Sequence, residues 1–166
     1  MCTTLSTLFK KPENYWNIIE RPNNSPLILN LPKPYYISLS HSQDFICFAL
    51  SSHCIGIDVE QSRLRNFSTA AMFMSAQELQ KMPRNEPDQQ AYFYKLWCAK
   101  EAFYKALSKS EQQQRSLTSL SYHALKEGRG DYQLYETSIC DYQIAAVSSK
   151  PLLSEQNLLH EVSLLP

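Results

Sequence analysis

Three carboxylates and a lysine stand at spacings that could bring them to one point. Within Trp97-Cys98-Ala99-Lys100-Glu101-Ala102-Phe103-Tyr104-Lys105, the residues Trp97, Glu101 and Lys105 recur every four positions. On an α-helix that interval stacks an aromatic, an acid and a base along one face. Upstream, Asp58 and Glu60 are two apart in the run Ile55-Gly56-Ile57-Asp58-Val59-Glu60. The run is apolar and β-branched, so on a strand both acids point the same way. If strand and helix pack together, Asp58, Glu60 and Glu101 meet with Lys105 beside them. Carboxylates so placed repel one another unless a hard cation holds them. Each piece alone has a plainer reading. An isolated Asp-x-Glu is an exposed strand end, and Glu101–Lys105 is an ordinary helical ion pair contributing about 0.3–0.5 kcal/mol.

The conjunction is more specific than its parts. Ser38-Leu39-Ser40-His41-Ser42, then Gly56-x-Asp58-x-Glu60, then Trp97-x-x-Lys100-Glu101-Ala102-x-x-Lys105 follow one another in this order. The order resembles the paired signature of the 4′-phosphopantetheinyl transferases in their surfactin-type class. The small trimeric acyl-carrier-protein synthases instead place the Asp motif near the N-terminus and the Ser-His segment after the helix. The resemblance runs over residues 35 to 125. It implies an α+β, 4′-phosphopantetheinyl transferase-like fold with an antiparallel sheet packed against a long central helix.

The same resemblance implies a holo-acyl-carrier-protein synthase type of enzyme. A serine of an acyl or peptidyl carrier protein attacks the β-phosphate of coenzyme A. Phosphopantetheine moves to that serine, and adenosine 3′,5′-bisphosphate leaves. The reaction depends on Mg2+, and little covalent chemistry falls to the protein, which positions and neutralises charge. By motif match, Asp58, Glu60 and Glu101 are the metal's carboxylates. Glu101, or a water on the metal, deprotonates the serine, and Lys105 pairs with the phosphates. Lys100 is either a further coenzyme A contact or a solvated lysine. Ser40 and His41 are the candidate contacts to a coenzyme A phosphate, against the plainer reading of a polar turn. Trp97 is a packing residue.

The elements that must position these residues can be sketched. Residues 1 to 34 read as irregular, broken by Pro12, Pro22, Pro26, Pro32 and Pro34, with room for a short helix over Glu13 to Glu20. Tyr35 to Ser40, Phe45 to Ser51 and Cys54 to Glu60 read as strands of an antiparallel meander, with a turn over His41 to Asp44. Phe67 to Met74 suggests a short helix. Ser75-Ala76-Gln77-Glu78 spells a capping box. A long helix runs from an Asp88 cap to about Leu107 or Ser108, its apolar stripe traced by Tyr92, Leu96, Ala99, Phe103 and Ala106. Ser108 to Arg115 reads as a loop and Leu117 to Leu125 as β-like. Lys126 to Asp131 is a turn before a closing hairpin over Tyr132 to Thr137 and Tyr142 to Ser148. A short helix from Ser154 completes the tail. The organisation is one domain, 1–166, with a shortened N-terminal half (1–54), a catalytic half (55–150) and a C-terminal tail (151–166).

That shortening departs from the surfactin-type pattern, whose members resemble two fused copies of one fold. It removes part of the surface that holds the adenine and 3′-phosphate in longer relatives. Lys10, Lys11, Arg21 or Lys33, or a second subunit, would supply it, so both a monomer and a homodimer are open.

Bulk composition excludes other classes. The 166 residues carry 16 basic and 16 acidic side chains, so no global charge favours nucleic acid. No apolar run reaches the roughly 20 residues needed to span a bilayer, and residues 1 to 11 lack the apolar core of a signal peptide. Five cysteines without regular spacing fit a reducing cytoplasm and form no metal motif. Cys98 reads as packed rather than nucleophilic. Arg63, Arg65, Lys81 and Arg84 offer either a basic edge for an acidic carrier protein or a solvated surface. Two competing functions remain: a non-catalytic scaffold of the same fold that binds carrier proteins or coenzyme A, and a Mg2+-dependent phosphohydrolase using water in place of the serine.

Overall fold

Alternation and burial organise the chain around two strands and one helix. The computed structural model describes residues 1–21, 24–63 and 67–149. In chain order it contains α1 (Cys2–Phe9), β1 (Ile18–Arg21), β2 (Asn24–Ile28), β3 (Tyr36–Ser42), β4 (Phe45–Ser51), β5 (Ile55–Gln61), α2 (Ala76–Gln80), α3 (Glu86–Ala106), α4 (Lys109–Gln114), α5 (Tyr122–Lys126), β6 (Gln133–Ile139) and β7 (Tyr142–Ser148). The strands form three antiparallel sheets: β1–β2, β3–β4, and a three-stranded sheet in the order β5-β7-β6. The content is α+β with antiparallel sheets, as the sequence implied.

Strand β5 pairs with β7 along one edge and has β3 beside the other. Its first five residues, Ile55 to Val59, are buried, as befits a strand covered on both faces. Helix α3 lies against β5 and β7. It is capped by Asn85, whose side chain accepts from the Asp88 amide, so Asp88 sits in the first turn rather than at the cap. Phe93, Tyr94, Leu96, Cys98, Ala99, Lys100, Ala102 and Ala106 of α3 are all buried. The buried surface is therefore wider than the stripe expected from Tyr92, Leu96, Ala99, Phe103 and Ala106. One side of α3 meets the sheet, while Phe73 and Phe93 pack edge to face on another side. Phe73 also meets Trp97, at 4.9 Å between ring centroids.

Five local expectations change. The meander stops after two strands, because β5 pairs with β7 instead of β4. The opening region is more regular than its prolines suggested: α1 buries Leu5 against Trp16 and Ile28, and β1–β2 form a hairpin. Within Glu13 to Glu20 only Glu13–Tyr15 is helical, as a single 3-10 turn. Leu117 to Leu125 is not β. A 3-10 turn at Leu117–Ser119 leads into α5, capped by the Ser121 side chain. Ser108 likewise opens a helix, α4, through a capping box with Glu111. In both places a serine cap opens a helix: at Ser121 it outweighed weak apolar alternation, and at Ser108 it organised a segment read as a loop. The capping box at Ser75 and Glu78 and the closing β6–β7 hairpin form as read. The tail and Arg65 lie outside the described residues. Among the described residues no helix is long and apolar enough to cross a membrane.

Candidate active site

The strand alternation of β5 and the four-residue period of α3 bring the predicted residues to one cavity of about 390 Å3. It is lined by Leu39, Ser40, His41, Asp58, Glu60, Trp97, Glu101 and Lys105. Six of the seven predicted site residues are among them, and the seventh is Lys100.

Asp58 is the centre of the arrangement and only 4% exposed. Its Oδ1 accepts from Lys105 Nζ at 2.6 Å and from Ser40 Oγ at 2.8 Å. Lys105 also donates to Ser40 Oγ and to the Ile57 carbonyl, both at 3.2 Å. Glu60 is held by two donors on different elements: Trp97 Nε1 reaches Oε1 at 3.2 Å, and Ser42 Oγ reaches Oε2 at 3.0 Å. Trp97 thus packs, as expected, and also orients an acid. Glu101 is half-buried on α3.

The electrostatics follow from crowding. Burial raises the Asp58 carboxyl above the usual carboxylate range; Lys105, by charge and hydrogen bond, and the Ser40 bond pull against it, and Glu60 adds to the rise. Burial also raises Glu101, followed by the charge on Asp58, while Lys105 opposes and Glu60 reinforces. Two acids with raised affinity for protons share one cavity with one ammonium, a deficit of positive charge.

The residues can be tested for a hard cation on one atom. Asp58 Oδ2 is buried and has no hydrogen-bond partner. A buried carboxylate oxygen left bare is costly, and a cation relieves it. The donors around it are carboxylate oxygens, the type Mg2+ prefers. The site therefore fits such an ion, although among the described residues no three His, Cys, Asp or Glu side chains stand close enough to hold one as placed.

Lys100 is elsewhere. It is 1% exposed, and its ammonium donates to Glu78 Oε2 at 2.6 Å, to the Phe73 carbonyl at 2.7 Å and to the Leu117 carbonyl at 3.1 Å. All three protons are used, so neither the coenzyme A contact nor the solvated lysine describes it. One residue before Glu101, it faces the other side of α3. Its partner Glu78 was legible only as a capping residue. Nothing local shows that the same carboxylate reaches Lys100.

The basic residues considered for a substrate's far end are also apart from the acids. Arg21 and Lys33 line a second cavity of about 350 Å3, with Leu27, Tyr35, Tyr36 and Ile37 among its walls. Lys11 lies over the Tyr15 ring. Cys98 is fully buried and donates to the Gln143 carbonyl; burial pushes its thiol far up, so it is no nucleophile. Cys47, beside Asp58, is pushed up to about 12, mainly by burial.

Comparison with known proteins places this geometry. A model of the 4′-phosphopantetheinyl transferase superfamily matches residues 54–155. The 4′-phosphopantetheinyl transferase psf-1 of Bacillus pumilus is 26% identical over 159 residues, which cover 85% of this chain and 67% of that protein. A 4′-phosphopantetheinyl transferase of Bacillus subtilis is 39% identical over 85 residues, or 51% of this chain and 38% of the relative. The 4′-phosphopantetheinyl transferase Sfp of Bacillus subtilis (strain 168) is 36% identical over 81 residues, or 48% of this chain and 36% of Sfp. These matches span between about a third and two thirds of the relatives' lengths.

Proposed function

The chain belongs to the 4′-phosphopantetheinyl transferase superfamily, in its surfactin-type class, and from that premise we propose that it transfers 4′-phosphopantetheine from coenzyme A to a serine of an acyl or peptidyl carrier protein. The observation that carries this reading is the bare, buried Oδ2 of Asp58 in one cavity with Glu60, Glu101 and Lys105.

In this reading Asp58, Glu60 and Glu101 hold Mg2+, which when bound supplies charge neutralisation for the pyrophosphate. Glu101 takes the proton from the carrier serine as its general base. Lys105 opposes the burial-driven rise in the proton affinity of Asp58 and adds positive charge at the cavity wall where the phosphates approach. His41 is exposed at the cavity's rim and donates to a phosphate oxygen. Ser42 and Trp97 keep Glu60 from turning away. Release of adenosine 3′,5′-bisphosphate completes the exchange: the new serine O–P bond replaces the pyrophosphate O–P bond.

Intact-protein mass spectrometry tests this directly. Apo acyl carrier protein and apo peptidyl carrier protein are each incubated with coenzyme A, Mg2+ and the protein. The expected result is a gain of one phosphopantetheine group on at least one carrier. Glu101→Gln keeps the shape but removes the base, and should slow the gain by at least about 100-fold. No gain on any carrier, with coenzyme A still bound, would replace this reading with the scaffold. Breakdown of coenzyme A without a carrier would replace it with the hydrolase.

A further inference from the structure

Strands β3 and β5 belong to separate sheets, yet they lie side by side. What joins them is a row of hydroxyls. The backbone amides of Ile57, Val59 and Gln61 donate to the side-chain oxygens of Ser38, Ser40 and Ser42 at 3.0, 3.3 and 3.1 Å. The offset is 19 residues in every rung, so the two strands run parallel with serine oxygens standing where a ladder would place carbonyls. The free edge of β5 is thereby satisfied without backbone pairing.

The same serines reach the acids. Ser40 Oγ donates to Asp58 Oδ1 and Ser42 Oγ to Glu60 Oε2, each at an offset of 18 residues. The third rung of that series pairs Ser38 with Gly56, which has no side chain. The Ser-x-Ser-x-Ser and Gly-x-Asp-x-Glu motifs therefore interlock position by position. Ser40 Oγ accepts from Val59 and Lys105 and donates to Asp58, which uses its one proton and both lone pairs. It has no capacity left for a coenzyme A phosphate, against the expectation from its sequence.

Building on the transferase reading, we propose that Ser40 and Ser42 are positioning residues: they dock the β3–β4 hairpin on β5 and aim the carboxylates of Asp58 and Glu60 at the ion that those acids hold. Serine suits the task because its short side chain is donor and acceptor at once, so one atom can close a backbone edge and fix an acid. Ser38 performs only the first duty and is a control supplied by the fold.

The experiment compares Ser38→Ala, Ser40→Ala and Ser40→Thr in the full chain. Mn2+ binding is read by electron paramagnetic resonance, melting temperature is measured, and kcat and the KM for coenzyme A are determined on an accepted carrier. Both alanine variants should melt several degrees lower, since each strands a buried amide. Ser38→Ala should keep Mn2+ affinity and kcat within about twofold, whereas Ser40→Ala should weaken both by about 10- to 100-fold with KM nearly unchanged. Ser40→Thr retains the hydroxyl and should recover most of the Mn2+ affinity. Equal Mn2+ affinity in Ser38→Ala and Ser40→Ala would overturn the proposal. So would a raised KM at normal kcat in Ser40→Ala, the mark of a substrate contact. If the wild type binds Mn2+ but modifies no carrier, the transferase reading falls while the Mn2+ comparison still judges the serines. A wild type that binds no Mn2+ overturns both.

Discussion

Gly56→Ala should destabilise the protein by at least about 3 kcal/mol, at the top of the usual range for overpacking, and dismantle the acidic cavity with it. A Cβ built on Gly56 would stand 1.9 Å from the Ala102 carbonyl oxygen, 2.7 Å from the Ala106 nitrogen and 3.0 Å from the Ala102 carbonyl carbon. All three are backbone atoms of α3, so no rotamer change relieves the clash. The glycine is required for proximity: α3 can approach β5 only where the strand has no side chain. Ala102 and Ala106 make the same allowance from the helix side, and both are buried. Close packing leaves no slack, so α3 must lift away from β5, carrying Glu101 and Lys105 from Asp58. Urea unfolding measures the loss, and the fraction of carrier modified measures the cavity. Trimming the helix with Ala102→Gly should not rescue the variant, because the obstacle is main chain. A loss below about 1 kcal/mol, the size of an ordinary surface change, would show that the contact is looser than described.

The second large effect concerns the buried pair on the other side of α3. Lys100→Met should cost about 3–5 kcal/mol, because it leaves Glu78 buried without its cation. Both residues are 1% exposed. Glu78 Oε1 accepts from the Tyr122 amide at 3.0 Å, and Oε2 accepts from the Ser75 amide at 2.8 Å as well as from Lys100. The pair thus ties α2, α3 and α5 into one cluster. Burial alone would raise the Glu78 carboxyl, but the Lys100 bond and the two amides outweigh it and hold it below the usual value. A depressed carboxylate contributes stability that is complete above its unfolded value, near 4.5, and is lost as pH falls through the lower folded value. In Lys100→Met the sign reverses: the unpaired Glu78 prefers its proton, so the deficit should be largest at neutral pH and shrink as pH falls towards 4.5. Urea titrations at several pH values read both slopes. The double variant Glu78→Gln with Lys100→Met should recover part of the loss, since removing both charges is less costly than removing one. A deficit independent of pH would mean that lost packing, not charge, is responsible.

How much of this site could be read from the chain differs residue by residue. The order of the three motifs and the periods of two and four were enough to bring Asp58, Glu60, Glu101 and Lys105 together, because each period is a property of one local element. The corner at Ser40, His41 and Ser42 read as a phosphate site or a polar turn, and the duty of the serines at 38, 40 and 42 was invisible because their partners lie in another strand. Leu117 to Leu125 was misread for the opposite reason. Its alternation was weak, and a serine cap with packing against α3 decided for a helix.

Lys100 shows where local reasoning stops. Helical spacing puts it beside Glu101 in the chain but on another face of α3, and only the packing of α2 and α5 around that face determines whether it meets solvent, substrate or Glu78. The sequence by itself determined which acids share a strand and which share a helix, because backbone geometry sets those directions within a few residues. The tertiary structure alone decided that β5 pairs with β7, that β3 joins it through hydroxyls and that Lys100 is consumed in the core. Those outcomes depend on which surfaces find one another across the chain, and burial assigns the hydrogen bonds that local geometry leaves open.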